Sequence, residues 1–229
     1  SPHARPLVVA LVTEPENGPA AAAALAMLAQ AVDPPNAGSA LADQMRRLAD
    51  EHPDFLALQI LSAWLFLDIG LPDPALQIAT RAMRRFPTSV EPAWLAAEAF
   101  AASDRWFDAL AAATQWRRRA ARGIFGADMM IAEAKLQLGQ TTSALEMIAP
   151  YLDRALADVD AYPLVITRYV RSLIASRRLG EAAGVLMPLL ADSSQWRLAT
   201  MRLAALAVDH PGVATTWLGR VEAKTPAHA

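Results

Sequence analysis

The chain has 229 residues, of which 54% are hydrophobic and 19% charged, with a formal net charge of −2. A charge so near zero excludes a global electrostatic pull toward nucleic acid or an anionic membrane. The absence of cysteine excludes disulfides, thiolate catalysis and cysteine–zinc sites.

The first apolar run, PLVVALV (Pro6 to Val12), is too short to span a bilayer and lacks the layout of a secretory signal. The start at Ser1 carries the expectation of a trimmed or processed fragment, from which an upstream anchor or signal could have been removed. Either a cytoplasmic or a periplasmic location fits this composition. Residues 1–18 are expected to form an irregular arm, and 223–229 a tail.

Between them the pattern is helical and alanine-rich, and alanine both favours the helix and lets helices approach closely. The first two helices are predicted near Ala20–Val32 and Ser39–His52, joined by DPPNAGS. An apolar helix follows in LALQILSAWLFLDIG, then a break and the amphipathic stretch from Ala75 to Pro87. The alternation continues through EPAWLAAEAFAASD and DRWFDALAAATQW, then ADMMIAEAKLQLGQ and LGQTTSALEMIAP. It ends with PLVITRYVRSLIASRR, RRLGEAAGVLMPLL, QWRLATMRLAALAVDH and the stretch around Ala214.

Small residues mark the register. Ala75 is followed by Ala109 after thirty-four residues, by Ala144 after a further thirty-five, and then by Ala182 and Ala214. The segment DRALADVDAYP stretches one interval to thirty-eight, and a bend is expected there. Gly70 suits the left-handed conformation that ends a helix and reverses the chain. Asp73 is expected to cap the next helix, Pro74 to sit in its first turn, and Pro87 to stop it.

Ala63, Phe66, Gly70, Ala75, Ala82 and Pro87 together resemble a tetratricopeptide repeat (TPR). The next copy offers Ala97, Phe100, Trp106 and Ala109, with Asp104 at the turn, and a third offers Ala132, Gly139 and Ala144, with Lys135 at the aromatic place. Later copies carry Arg177 and Asp209 at the turn, and the first has Leu41 where alanine is expected. The resemblance implies an all-α fold over residues 19–222: a right-handed α-α superhelix, or TPR-like solenoid, of about six helix pairs. It also implies a buried Trp106.

The same resemblance implies that first helices line a concave face, placing Trp94, Glu98, Met129, Glu133, Arg168 and Arg171 along it, flanked by Trp64 and Trp196. Such a mixed surface suits a peptide or partner protein with complementary charge. The competing reading is that Glu98, Glu133 and the arginines pair across adjacent repeats. Asn17 and Asn36 are the sole asparagines, so neither an asparagine ladder nor a lysine–asparagine clamp is supported.

No catalytic, cofactor or metal site is expected. His3, His52, His210 and His228 lie near chain or helix ends, and no phosphate loop or nucleophile motif occurs. Arg117, Arg118, Arg119 and Arg122 spread around a helix end, which favours a solvated C-terminus over a nucleic-acid groove. The leading expectation is therefore a non-catalytic interaction scaffold. The alternative is a regulatory or targeting segment of a larger, membrane-anchored bacterial protein or enzyme. Homo-oligomerisation would run through Leu203, Leu206, Trp217 and Leu218 on the terminal helices.

Overall fold

In the computed structural model, residues 37–120, 125–158 and 162–191 are described. Both arms, the first predicted helix, Arg122, Trp196, Asp209, Ala214 and the terminal leucines lie outside them. The described elements are helical throughout: α1 (Ala37–Glu51), α2 (Leu56–Asp68), α3 (Pro72–Arg85), α4 (Glu91–Ala102), α5 (Trp106–Arg119), α6 (Phe125–Gln137), α7 (Thr141–Ile148), α8 (Leu152–Ala157), α9 (Pro163–Ala175) and α10 (Leu179–Ala191). Two compact units divide at Met130 and Ile131, within α6.

In the first unit neighbours in sequence are neighbours in space: α1 packs on α2, α2 on α3, α3 on α4 and α4 on α5. Helix α2 also touches α4, so first helices of successive pairs meet directly. Burial explains the division of labour. Helix α2 buries the continuous run Leu58 to Ala63, every side of the rod, because it is enclosed by neighbours. Helix α3 buries Ala75, Ile78, Ala79 and Ala82, a single stripe at helical spacing, and turns its polar remainder outward.

Helix α5 repeats that stripe thirty-four residues later with Ala109, Ala112, Ala113 and Trp116. The side chain at the last place is thus a tryptophan where α3 has Ala82, and its ring lies 6.4 Å from that of Trp94 on α4. Ala63, Ala97 and Ala132 on the first helices, and Ala75, Ala109, Ala144 and Ala182 on the second, are all fully enclosed. Nothing larger fits where paired helices come this close.

The turns between paired helices share one construction. Leu71 N–H donates to the Phe66 carbonyl at 2.8 Å and Gly70 N–H to that of Leu67 at 3.0 Å. The same two bonds recur from Arg105 to Phe100 and Asp104 to Ala101, from Gln140 to Lys135 and Gly139 to Leu136, and from Arg178 to Leu173 and Arg177 to Ile174. This is the Schellman closure, which satisfies orphan carbonyls at a helix end. It needs a left-handed residue, and Gly70, Asp104, Gly139 and Arg177 all have positive φ.

Two local expectations change. Asp73 does not cap: α3 starts at Pro72 after Leu71, with no side-chain cap bond, and Asp73 instead lies in the first turn, where its charge favours the helix dipole. Trp106 opens α5 half-exposed beside the exposed Phe107, since the first residue of a helix has a neighbour on one side only. The long interval before α9 is taken up by α7 continuing through a 3-10 turn at Ala149–Tyr151 into α8; Pro150, lacking an N–H, breaks the regular ladder there. Phe86 does leave helical geometry before Pro87, with φ −121° and ψ 70°.

A polar tie crosses the first unit's core. Gln59 is 1% exposed; its amide donates to the Ala49 carbonyl at 2.7 Å and the His52 carbonyl at 3.1 Å. Its oxygen accepts from Arg81 at 3.2 Å. Arg81 also pairs with Asp50 at 2.5 Å, and Arg85 with Asp54. One buried amide therefore fixes α2 against the end of α1 and against α3.

In the second unit α9 packs on α7, α8 and α10. Val165, Ile166, Val170 and Leu173 of α9 are fully enclosed, with Ile148 and Leu186 beside them in that unit's core.

Candidate functional site

The turn residues give a common frame for the first helices of each pair. Six places before Gly70, Asp104, Gly139 and Arg177 stand Trp64, Glu98, Glu133 and Arg171. All four are half-buried. Ten places before the turn stand Ile60, Trp94, Met129 and Thr167. There Ile60 and Met129 are buried, while Trp94 and Thr167 reach partway into solvent.

Met129 consequently leaves the set of surface candidates. It is 2% exposed, because an unbranched apolar side chain at this register folds into the interior. Trp94 is too large to be enclosed in the same way and emerges at its edge.

In the first unit Trp94 and Glu98 are brought together. The Trp94 indole N–H donates to the Glu98 carboxylate at 3.3 Å, one helical turn away. The Trp94 ring is tilted 46° against Trp116, at a separation within the range over which aromatic pairs attract. The result is a fixed aromatic edge beside an acidic group. Sequence reasoning does not single out Trp116 as part of it; its place in the α5 stripe is the signal that it reaches the pair.

In the second unit Glu133, Arg168 and Arg171 meet. Arg168 Nε donates to Glu133 Oε2 at 2.9 Å, and Arg171 Nη1 to Oε1 at 3.2 Å. Gln137 Nε2 donates to Oε1 as well, at 2.9 Å. Burial pushes the Glu133 carboxyl up, but the Gln137 bond, the charges of Arg168 and Arg171 and the Arg168 bond outweigh it and hold it below its usual range. The pairing of acid and arginine across adjacent repeats is therefore present, and it leaves two guanidiniums facing one carboxylate.

The arginine run after Trp116 is largely engaged. Arg117 pairs with the buried Asp128 at 2.8 Å, and Arg119 donates to the Ser89 carbonyl at 3.2 Å. Among the described residues no group of His, Asp and Glu could hold a metal ion, and no helix is long and apolar enough to cross a membrane.

No protein-family model and no curated protein matches the sequence. Solved structures do match in shape. One is TTC0263, a thermophilic TPR protein of Thermus thermophilus, with a TM-score of 0.55, 20% identity, and coverage of 74% of this chain and 91% of that one. Another is YrrB, described as a TPR protein with an unusual peptide-binding site, with a TM-score of 0.55, 16% identity, and coverage of 82% of this chain and 95% of that one. The helix pairs, their shared turn closure and their enclosed alanines thus give this chain the tetratricopeptide-repeat fold.

Proposed function

We propose that this chain is a non-catalytic scaffold that binds a peptide or partner protein through the face of its first helices. The observation that carries this is the position six before each turn. It is neither fully enclosed nor fully exposed in any of the four described copies, yet holds an aromatic, two acids and a base in turn: Trp64, Glu98, Glu133 and Arg171. A purely structural position in a repeat would be expected to keep one chemistry, as the enclosed alanines do. A position that keeps its exposure but varies its chemistry is suited to reading a partner of defined sequence.

The likeness to TPR proteins, one of them described as peptide-binding, supports the same reading. Neither nucleic acid nor a cofactor is part of it, and the engagement of Arg117 and Arg119 within the fold supports leaving nucleic acid out.

The test is selection from a displayed peptide library, followed by affinity measurements on E98A and R171A. Arg118→Ala serves as the control, since Arg118 is exposed on a second helix. Selected peptides should lose affinity to the first-helix variants and keep it for R118A. Equal binding to all three variants, or no peptide selected, would overturn the proposal.

A further inference from the structure

The exposed side of α9 carries more information than the shared register. Leu164, Arg168, Arg171 and Ala175 stand at intervals of four, three and four residues, which places them on one side of the helix. The opposite side is the enclosed set Val165, Ile166, Val170 and Leu173. Leu164 is 53% exposed, and the Arg168 and Arg171 side chains are 17% and 34% exposed. The open stripe therefore reads apolar, cationic, cationic, small.

Its charge does not cancel. Two guanidiniums meet one carboxylate in Glu133, which leaves one positive charge. Each guanidinium has five N–H donors, and each gives one to Glu133. No further acceptor for either is found among the described residues. Glu133 is filled from three sides, by Arg168, Arg171 and Gln137, so it works as a brace. It holds two long side chains in one arrangement and removes much of the rotamer entropy that a ligand would otherwise have to overcome.

From this geometry we infer that Leu164, Arg168 and Arg171 form a docking stripe for an acidic segment of the partner, one that sets an Asp or Glu side chain on the arginines and an apolar residue on Leu164. The inference rests on the scaffold reading above and narrows it to a partner chemistry. A planar carboxylate matches the guanidinium fork, and its single charge matches the surplus. A phosphate brings nearly twice that charge and has no use for the leucine beside it. A free chain terminus would need no neighbouring apolar residue.

The experiment uses the full chain and short synthetic peptides with both ends blocked, alternating leucine with glutamate in one and with glutamine in the other. Fluorescence anisotropy reads their affinity for the wild type, R171Q, R171K and L164S. The glutamate peptide should bind, and added salt should weaken it. The glutamine peptide should bind at least about tenfold more weakly. R171Q should erase that preference, R171K should keep part of it, and L164S should weaken both peptides. Because Leu164 is more than half exposed, L164S keeps the fold intact and its effect reports binding.

Equal affinity for the two peptides, or an R171Q loss equal for both, overturns the inference. So does a phosphoserine peptide that binds tighter than the glutamate one, or a requirement for an unblocked C-terminus. Library-selected peptides that respond to E98A but ignore R171Q and L164S would sink this stripe and leave the scaffold reading standing. Failure of every peptide to bind would sink both.

Discussion

Gly70 and Asp104 hold the same left-handed backbone conformation one repeat apart, with φ of 76° and 55°, and each donates its N–H to the carbonyl three residues before it. Gly139 and Arg177 complete the series at 74° and 60°. A side chain at such a position crowds its own backbone, least for aspartate and much more for arginine. Replacing Arg177 by glycine should therefore stabilise the protein by about 0.5–1 kcal/mol, and Asp104→Gly by less. Conversely, Gly139→Ala should cost about 1 kcal/mol through conformation alone, since a Cβ there meets no atom within 4 Å. Urea denaturation of the three variants checks both directions.

That series also shows what can be read from the sequence. The register survives substitution, so Asp104 and Arg177 are found by counting from Ala97, Ala109 and Ala182 although neither is the glycine that such a turn favours. Enclosed alanines are legible because close approach of two rods admits nothing else. What counting does not supply is depth. Met129 and Trp94 share a place in the frame, yet one is enclosed and the other emerges, because side-chain size decides how far each reaches. The Glu133 brace is legible only as a competing reading, since the spacing of Glu133 from Arg168 fixes neighbouring helices but not which atoms meet. Leu164 escapes sequence reading because an exposed leucine looks like a buried one until its helix has been oriented by Val165 and Ile166.

The enclosed alanines invite a direct check on packing. Ala109→Leu should cost roughly 1–3 kcal/mol by overpacking, as the added atoms must push α5 away from its partner helix. Ala111→Leu, two residues on but exposed, should stay within about 0.5 kcal/mol of the wild type. Chemical denaturation that gives equal losses at both sites would remove the argument from close approach.

Gln59 offers a test of the polar tie. Gln59→Leu fills much of the same space but leaves the Ala49 and His52 carbonyls without their donor and Arg81 without one acceptor. The expected cost is about 1–3 kcal/mol, the penalty for stranding buried polar groups. Asp50→Asn removes the charge of the exposed Arg81 partner and should cost under about 1 kcal/mol. The order of the two losses, read from denaturation midpoints, distinguishes a buried amide tie from a surface ion pair.

The brace predicts a pH dependence whose sign is fixed. The Glu133 carboxyl is held below its ordinary value of 4.5 in the folded chain, so the folded state binds that proton less readily than the unfolded one. Stability from this group is fully present above the unfolded value and is lost as the pH falls through the folded one. Glu133→Gln keeps an acceptor for the arginines but removes the charge, and it should be less stable than the wild type at neutral pH. Lowering the pH past 4.5 should begin to narrow the gap, which closes once the pH has fallen through the lower folded value and the wild-type carboxyl is neutral as well. Glu181, held low chiefly by its bond from Arg178, titrates in both proteins, so the difference between their stability curves isolates Glu133. Thermal unfolding across the acid range makes the measurement, and a constant gap between the curves down to the lowest pH would show that Arg168 and Arg171 do not depend on that charge.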